Sequence, residues 1–275
     1  MSPWLETLGV ALLAVVGALL GRLCSRLSKP WWTLGYFIPL LIVLLVGLPR
    51  FDRGLEFKAP IRWLVSGRTL FAVTGLVTAM ILVTPLSRLP RRRDRQMVGF
   101  FIVLFVVDAS VWPFFAPVLN HSFQASIVTR IDSDGICRQS SDYNCGPAAA
   151  VTALRMLGFP AEEGTIAIFA HTSTAIGTPP DVLSSALQKH YGPNGLKCEY
   201  RHFTSIAELK NGGITLAVIR FGLLVDHYVA VLEITDQDVI VGDPSQGKMS
   251  YSHSEFAKKW RFVGVVMSRE GRKNE

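Results

Sequence analysis

One cysteine stands where its thiol could act as a nucleophile. Cys145 lies in the stretch 139–150, which reads Gln-Ser-Ser-Asp-Tyr-Asn-Cys-Gly-Pro-Ala-Ala-Ala. The Gly-Pro pair after it can begin a helix but cannot lie inside one, because proline lacks a backbone N–H. The helix-forming residues that follow place Cys145 at a helix N-terminus, where unpaired N–H groups and the helix dipole favour a thiolate.

Three further residues could complete a catalytic site around this thiol. Gln139 precedes the cysteine by six residues, and its side-chain amide could donate a hydrogen bond to an oxyanion. His227 lies at the start of a predicted strand, 226–234, and Asp243 follows the next one, 239–242. A hairpin between these strands would bring both side chains to the same end of the sheet. A general base and its orienting carboxylate require this arrangement.

Each of these residues also has a purely structural interpretation. A cysteine near a helix start is often a small buried hydrophobe, and His227 could bond to backbone at a strand end. Asp243 begins an Asp-Pro turn, and Gln139 could be a polar loop residue. The other histidines lack a following strand with a matched carboxylate, so we interpret them as surface or packing residues: His121, His171, His190, His202 and His253.

The order and spacing of these motifs resemble cysteine peptidase family thirty-nine. These are papain-like peptidases that remove double-glycine leaders from bacteriocin precursors. The resemblance covers 137–268 and depends on Gln-x5-Cys-Gly-Pro, His-Tyr-Val-x-Val-Leu and Asp-Pro-x-x-Gly. It implies a thiol protease with an α+β papain-like fold, a triad of Cys145, His227 and Asp243, and Gln139 at the oxyanion.

The resemblance also carries expectations about substrates, and it has two exceptions. It implies peptide or protein substrates with small residues, such as a Gly-Gly pair, before the cleaved bond. Asn144 stands where the family usually has Asp. The sequence contains no ATP-binding domain, so we expect ATP-independent proteolysis, with a separate transporter as a candidate partner.

Charge and hydropathy divide the chain into two parts. Residues 1–120 carry 13 Lys/Arg and 5 Asp/Glu, whereas residues 121–275 carry 15 and 16. The positive excess therefore belongs to the apolar part, which indicates cytoplasmic membrane flanks and excludes a nucleic-acid partner. The cysteines show no Cys-x2-Cys pairing, so we expect no metal and no cofactor. Cys137 and Cys198 could form a disulfide or remain buried thiols.

Residues 1–120 predict an all-α bundle of about four transmembrane helices. The apolar segments are 7–21, 31–48, 69–86 and 97–120. The first could be a signal peptide, but it lacks a basic start and a cleavage site. Gly17 and Gly21 form a small-xxx-small pair of the kind that marks some helix contacts. Asp108 in the fourth segment is a functional candidate, unless the helix breaks there.

Orientation follows from the basic residues between the predicted spans. The first and third loops hold 8 basic residues and the second loop, Pro49–Arg68, holds 5. The positive-inside rule then favours an extracytoplasmic N-terminus and catalytic domain, in a multi-pass protein of a bacterial inner membrane. The resembled family mostly works in the cytosol, so these two inferences disagree.

The sequence thus predicts a membrane domain over 1–120, a linker over 121–136 and a papain-like cysteine peptidase domain over 137–270. Its predicted function is that of a membrane-anchored cysteine peptidase whose partners are a peptide substrate and the lipid bilayer. Two alternatives stay open. One is a catalytically silent peptide-binding or sensor domain on a membrane anchor, and the other is a transporter or scaffold centred on Asp108.

Overall fold

The chain separates into two compact units, Met1–Leu119 and Asn120–Glu275. The computed structural model describes residues 3–65, 69–86, 88–210, 213–222 and 225–270. Arg68, the predicted end of the second loop, lies outside the described residues. The unit boundary falls beside residue 120, where the sequence predicts the end of the membrane domain.

The described residues of the first unit form helices joined by short turns. Its α-helices are α1 (Pro3–Arg26), α2 (Leu34–Gly47), α3 (Ile61–Val65), α4 (Thr69–Leu86), α5 (Arg92–Val106) and α6 (Trp112–Leu119). Among the described residues, two helical stretches are long and apolar enough to cross a membrane, Thr7–Arg26 and Trp31–Arg50, and Ala72–Leu86 is a shorter apolar helix. Two of the four predicted spans therefore have the length and composition of a membrane helix.

The fourth predicted span is interrupted at its acidic residue. A π-helical turn, Val107–Val111, separates α5 from α6 and contains Asp108. Ser110 in the same turn is fully buried. A widened turn of this kind bends a helix, because one residue is inserted into its hydrogen-bond ladder.

Glycines allow α1 and α4 to approach closely. A Cβ added at Gly17 would overlap the Leu76 carbonyl oxygen, and one added at Gly21 would lie 2.5 Å from the Met80 carbonyl oxygen. The small-xxx-small pair therefore lies on a helix contact, as membrane helices commonly use it. Large apolar side chains of this unit face outward, including Leu12 at 65% exposure.

The second unit is an α+β domain. Its described helices are α7 (His121–Ala125), α8 (Cys145–Met156), α9 (Glu163–Phe169), α10 (Pro180–Tyr191), α11 (Ala207–Lys210) and α12 (His253–Lys259). Its described strands are β1 (Arg130–Ile131), β2 (Cys137–Arg138), β3 (Leu196–His202), β4 (Ile214–Arg220), β5 (Asp226–Ile234), β6 (Asp238–Asp243), β7 (Gly247–Ser252) and β8 (Trp260–Arg269). Residues 121–136, predicted as a linker, thus contain α7 and β1.

Within the described residues, strands β3 to β8 form one antiparallel sheet in the order β3-β8-β4-β5-β6-β7. Its apolar core includes Phe203, Val229, Phe256 and Trp260, all at most 1% exposed. Helix α8 packs against β5. Three small residues, Ala148–Ala150, are fully buried on that helix, so the start of α8 can lie close to the sheet.

The glycine contact in the first unit gives a stability prediction. We expect Gly17→Val to force α1 away from α4, at a cost of roughly 1–3 kcal/mol. Thermal unfolding of the detergent-solubilised chain measures the loss as a lower melting temperature. Gly9→Val is the matched control, because a Cβ at Gly9 meets nothing within 4 Å. Equal melting of the two variants would contradict the close approach.

Candidate active site

Cys145 is the first residue of α8, and its thiol is half-buried. Asn144 precedes it as the N-cap residue without a capping side-chain hydrogen bond. The free backbone N–H groups of the first turn therefore remain at the Cys145 end of the helix. Gly146 lies against the Tyr228 ring, 3.3 Å from where an added Cβ would stand, which keeps the start of α8 close to β5.

His227 and Asp243 meet through a β-bulge. The hairpin begins with Ile234 opposite Val239, and the register shifts by one residue before Ala230 pairs with Gly242. Continuing the second register sets Asp243 opposite Val229, on the same face as His227, because side chains alternate along a strand. The unshifted register would have put Asp243 on the other face.

The two side chains form a buried hydrogen bond. His227 Nε2 lies 2.8 Å from Asp243 Oδ1, and the residues are 5% and 2% exposed. The same oxygen accepts from Ser245 N and Ser245 Oγ, both at 2.7 Å, and from Gln246 N at 3.2 Å. These donors compensate the carboxylate for its lost hydration.

Cys145 is the second hydrogen-bonding neighbour of the His227 imidazole, and the two neighbours set the charge of the ring. Burial lowers the pKa of His227, but its hydrogen bonds to Asp243 and Cys145 raise it, and the result is about 9. Burial raises the pKa of Asp243, but hydrogen bonds from His227 and Ser245 bring it to about 2. At neutral pH the site therefore holds an imidazolium between a carboxylate and the cysteine.

Gln139 is tied to the loop that follows Asp243. Its backbone N–H donates to the Pro244 carbonyl at 3.0 Å, and the Arg138 guanidinium donates to the Ser245 carbonyl. The Gln139 side chain has a buried Oε1 atom with no hydrogen-bond partner among the described residues. The segment before the nucleophile and the loop after the carboxylate are thus held together.

One wall of the site is apolar and accessible. The Phe221 ring lies 5.2 Å from the His227 ring, centroid to centroid, at an interplanar angle of 40°. Phe221 is 61% exposed, and Val225 in the same hairpin is 56% exposed. The sequence signal for this wall is that Phe221 and Val225 are apolar, although the turn between two strands is ordinarily polar. Ser245 was also missed, although a serine two residues after Asp is a common Asx-turn partner.

Two of the competing cysteines and two of the competing histidines have structural environments. All four cysteines are described and are free thiols, and burial raises the pKa of both Cys137 and Cys198 to about 12. His190 stacks on Phe169 with ring centroids 4.4 Å apart, and His253 bonds to the Thr235 carbonyl. Across the described part of the chain, no group of three or more His, Cys, Asp or Glu could hold a metal ion.

Comparison with known proteins shows the family of the second unit's sequence. The model of the Peptidase C39 family matches residues 134–273. The chain belongs to the Peptidase C39 family. An uncharacterized protein of Methanothermobacter marburgensis is 33% identical over 135 residues, which are 49% of this chain and 89% of that protein. The "Probable functional amyloid protease FapD" of Pseudomonas aeruginosa is 28% identical over 50% of this chain and 61% of its own length.

Two solved peptidase domains are similar to the same part of the chain. The peptidase domain of Streptococcus ComA, a bi-functional ABC transporter, matches with a TM-score of 0.43 and 17% identity, over 48% of this chain and 96% of that domain. A double glycine motif protease from an AMS/PCAT transporter, solved with its leader peptide, matches with a TM-score of 0.43 and 13% identity, over 52% of this chain and 99% of the protease. As a Peptidase C39 family member, the chain carries a peptidase domain of the hydrolase class.

The buried His227–Asp243 pair predicts a pH window for stability. The raised His227 pKa gives stability that is complete below pH 6.5 and is lost as pH rises through about 9. The lowered Asp243 pKa gives stability that is complete above pH 3.8 and is lost as pH falls through about 2. The pair therefore stabilises the fold most between these limits, pH 3.8 and 6.5.

We expect Asp243→Asn to lower the free energy of unfolding by about 2 kcal/mol inside this window, because a charged hydrogen bond is lost. The difference from wild type should shrink above pH 9. Urea unfolding of the detergent-solubilised chain across pH measures it. Asp134→Asn removes an exposed carboxylate and serves as the control. A constant Asp243→Asn deficit from pH 5 to pH 10 would be evidence against a charged pair.

Proposed function

We propose that this Peptidase C39 family member is a membrane-anchored cysteine peptidase with Cys145, His227 and Asp243 as its triad. The observation that carries the proposal is the imidazole of His227, which bonds to Asp243 on one side and to Cys145 on the other. Because Nε2 is taken by the carboxylate, Nδ1 is the nitrogen left for the thiol. Asp243 thereby fixes the ring orientation that a general base needs.

The reaction follows from these charges. The Cys145 thiolate attacks the scissile carbonyl carbon, and the carbonyl oxygen becomes an oxyanion. The His227 imidazolium then gives its proton to the leaving amine as the C–N bond breaks, which leaves a thioester and a neutral imidazole. His227 next takes a proton from water, whose oxygen attacks the thioester. Collapse of that intermediate releases the acid product and the thiolate, with the imidazolium restored.

Gln139 and the backbone N–H of Cys145 are the proposed donors to the oxyanion. The N–H lies at the start of α8, where no helical carbonyl accepts it. Gln139 is anchored next to the triad through its bond to Pro244. One such donor contributes on the order of 3 kcal/mol to transition-state stabilisation.

The proposed substrates are peptides with small residues before the cleaved bond, such as a Gly-Gly pair in a leader peptide. The family resemblance of the three motifs supports this specificity, and bacteriocin processing is its expected setting. The exposed Phe221 ring beside His227 offers an apolar contact to substrate residues near that bond. A separate transporter would be the partner that exports the processed peptide.

The first unit is the proposed membrane anchor, with about four spans. Two helices with the length and composition of spans and outward-facing apolar side chains support it. The third and fourth spans are proposed at α4, which contains the apolar helix Ala72–Leu86, and at the α5–α6 segment, where large apolar side chains such as Phe100 and Phe101 are exposed. The basic residues of the first and third loops favour a catalytic unit on the extracytoplasmic side.

A cleavage assay tests the proposed activity. The detergent-solubilised chain should cleave fluorogenic peptides with Gly-Gly or Gly-Ala before the scissile bond, and should leave those with Phe-Phe intact. Cys145→Ser should lower kcat by about 10⁶-fold, because the nucleophile acts as a unit with its base. Cys198→Ala, which removes a thiol paired with Ser184, should keep the activity. Peptide binding without cleavage by the wild type would favour the silent-domain alternative.

Labelling tests the side of the membrane. A membrane-impermeant maleimide should modify Cys145 in right-side-out vesicles, because this thiol is half-buried and its unit is proposed to face outward. Cys137 should not react, because it is fully buried and its pKa is raised to about 12 by burial. Cys145→Ser vesicles give the background. Labelling that requires permeabilised vesicles would place the peptidase in the cytoplasm.

A further inference from the structure

A buried acidic side chain lies next to the site but outside the proposed triad. Glu163, the first residue of α9, is fully buried. Its Oε1 atom accepts from the Ser140 backbone N–H at 2.9 Å and from Ser140 Oγ at 2.7 Å. Ser140 immediately follows Gln139, so Glu163 holds the segment that carries the proposed oxyanion donor.

The hydrogen bonds of Ser140 have a fixed direction. Its hydroxyl carries one hydrogen, which is donated to Glu163, so the oxygen is left to accept from a neighbouring donor. The Asn144 amide supplies that donor, with Nδ2 at 3.0 Å from Ser140 Oγ. A chain of bonds therefore leads from Asn144 through Ser140 to the carboxyl group. An aspartate at position 144 would compete with Glu163 for the same hydroxyl hydrogen.

The chain of bonds extends to α7. Asn144 Nδ2 also donates to Gln124 Oε1 at 3.3 Å, and Gln124 is 2% exposed. A Cβ added at Gly164 would overlap the Gln124 carbonyl oxygen, so the glycine is what lets α7 lie directly on α9. Gln124, which precedes the peptidase motifs in the sequence, thus supports Asn144, the residue before the proposed nucleophile.

The segment between Gln139 and Cys145 is consequently held at three points. Gln139 is bonded to Pro244 and Ser140 to Glu163. Asn144, the last residue before Cys145, is bonded to Gln124. The two ends of this segment carry the oxyanion donor and the thiol. Their separation depends on these bonds, because the segment is outside any regular element.

We propose that Glu163, Asn144 and Gln124 are positioning residues that set Gln139 and Cys145 for the reaction. The proposal rests on the proposed peptidase function. It predicts that the pattern of donors and acceptors matters more than the identity of any single residue. Two substitutions that together reverse the direction of these hydrogen bonds should then restore the kcat that one substitution lowers.

Asn144→Asp and Glu163→Gln test this reversal in the full chain. Asn144→Asp should lower kcat by about 100-fold with little change in KM, because displaced catalytic groups lose that much. In the double variant the amide at position 163 can still accept from the Ser140 backbone N–H through its carbonyl oxygen, but it carries no charge, so the Ser140 hydroxyl can turn to the stronger acceptor, the carboxylate at position 144. The free Nε2 of Gln124, which has no partner in the described structure, can donate there too. We expect at least tenfold recovery of kcat over Asn144→Asp.

A merely structural role predicts a different result. Two independent destabilising changes would add, so the double variant would be no more active than Asn144→Asp. That result, with folded protein by thermal unfolding, would overturn the proposal. Glu162→Gln, which changes an exposed neighbour of the same charge, is the control and should match wild type.

Ser140→Ala keeps the test decisive if Asn144→Asp does not fold. Ser140 is exposed, but its hydroxyl donates to Glu163 and accepts from Asn144. Ser140→Ala should therefore stay folded in thermal unfolding while kcat falls at least tenfold, since one hydrogen bond is worth about that factor. Wild-type activity in Ser140→Ala would refute the proposal.

If the wild type cleaves no peptide, the proposed function fails separately, and the Cys145 alkylation rate is compared instead. Equal rates in wild type and Ser140→Ala would then count against the positioning role.

Discussion

The hydrogen bond between His227 and Asp243 is the constraint on which the site depends. A carboxylate that is 2% exposed is costly unless its lone pairs are filled, and here one oxygen accepts four bonds, from His227, from the backbone and side chain of Ser245, and from Gln246. The loop after β6 must therefore turn back on the carboxylate. The same bond fixes the imidazole ring and leaves its other nitrogen for the thiol.

Packing between α8 and β5 determines where Cys145 lies. Cys145 can face His227 only if the start of α8 lies close to β5, and a helix approaches a sheet closely when its contact residues are small. Gly146 and the buried Ala148–Ala150 provide this surface. The Cys-Gly-Pro-Ala-Ala-Ala sequence therefore specifies a helix start and also the short distance between helix and sheet.

Local patterns predicted the parts of the site that lie within one element or one hairpin. The start of α8 at Cys145 follows from the position of Pro147, and the β5–β6 hairpin follows from two apolar strands around a polar turn. The bulge between Val231 and Glu233 has no such signature. A hairpin without this bulge would bring His227 and Asp243 to the same end of the sheet, but on opposite faces.

Contacts between distant residues could not be predicted from one sequence. Gln124 and Glu163 meet the nucleophile segment from 20 and 23 residues away along the chain, and nothing in their local sequence marks them. The same limit applies to the first unit, where composition indicates apolar helices. The π-helical turn at Asp108 depends on packing against neighbouring helices, and hydropathy does not report it.

The asparagine before the nucleophile shows how a departure from a family pattern can be compensated elsewhere. Taken alone, Asn144 is the loss of a carboxyl group beside the proposed catalytic cysteine. In the fold, a carboxyl group is present at Glu163, and Ser140 stands between the two side chains. The Ser140 hydroxyl has one hydrogen, and it donates that hydrogen to Glu163. The residue at 144 therefore has to donate to the Ser140 oxygen. An amide at 144 is therefore the partner that the acid at 163 requires.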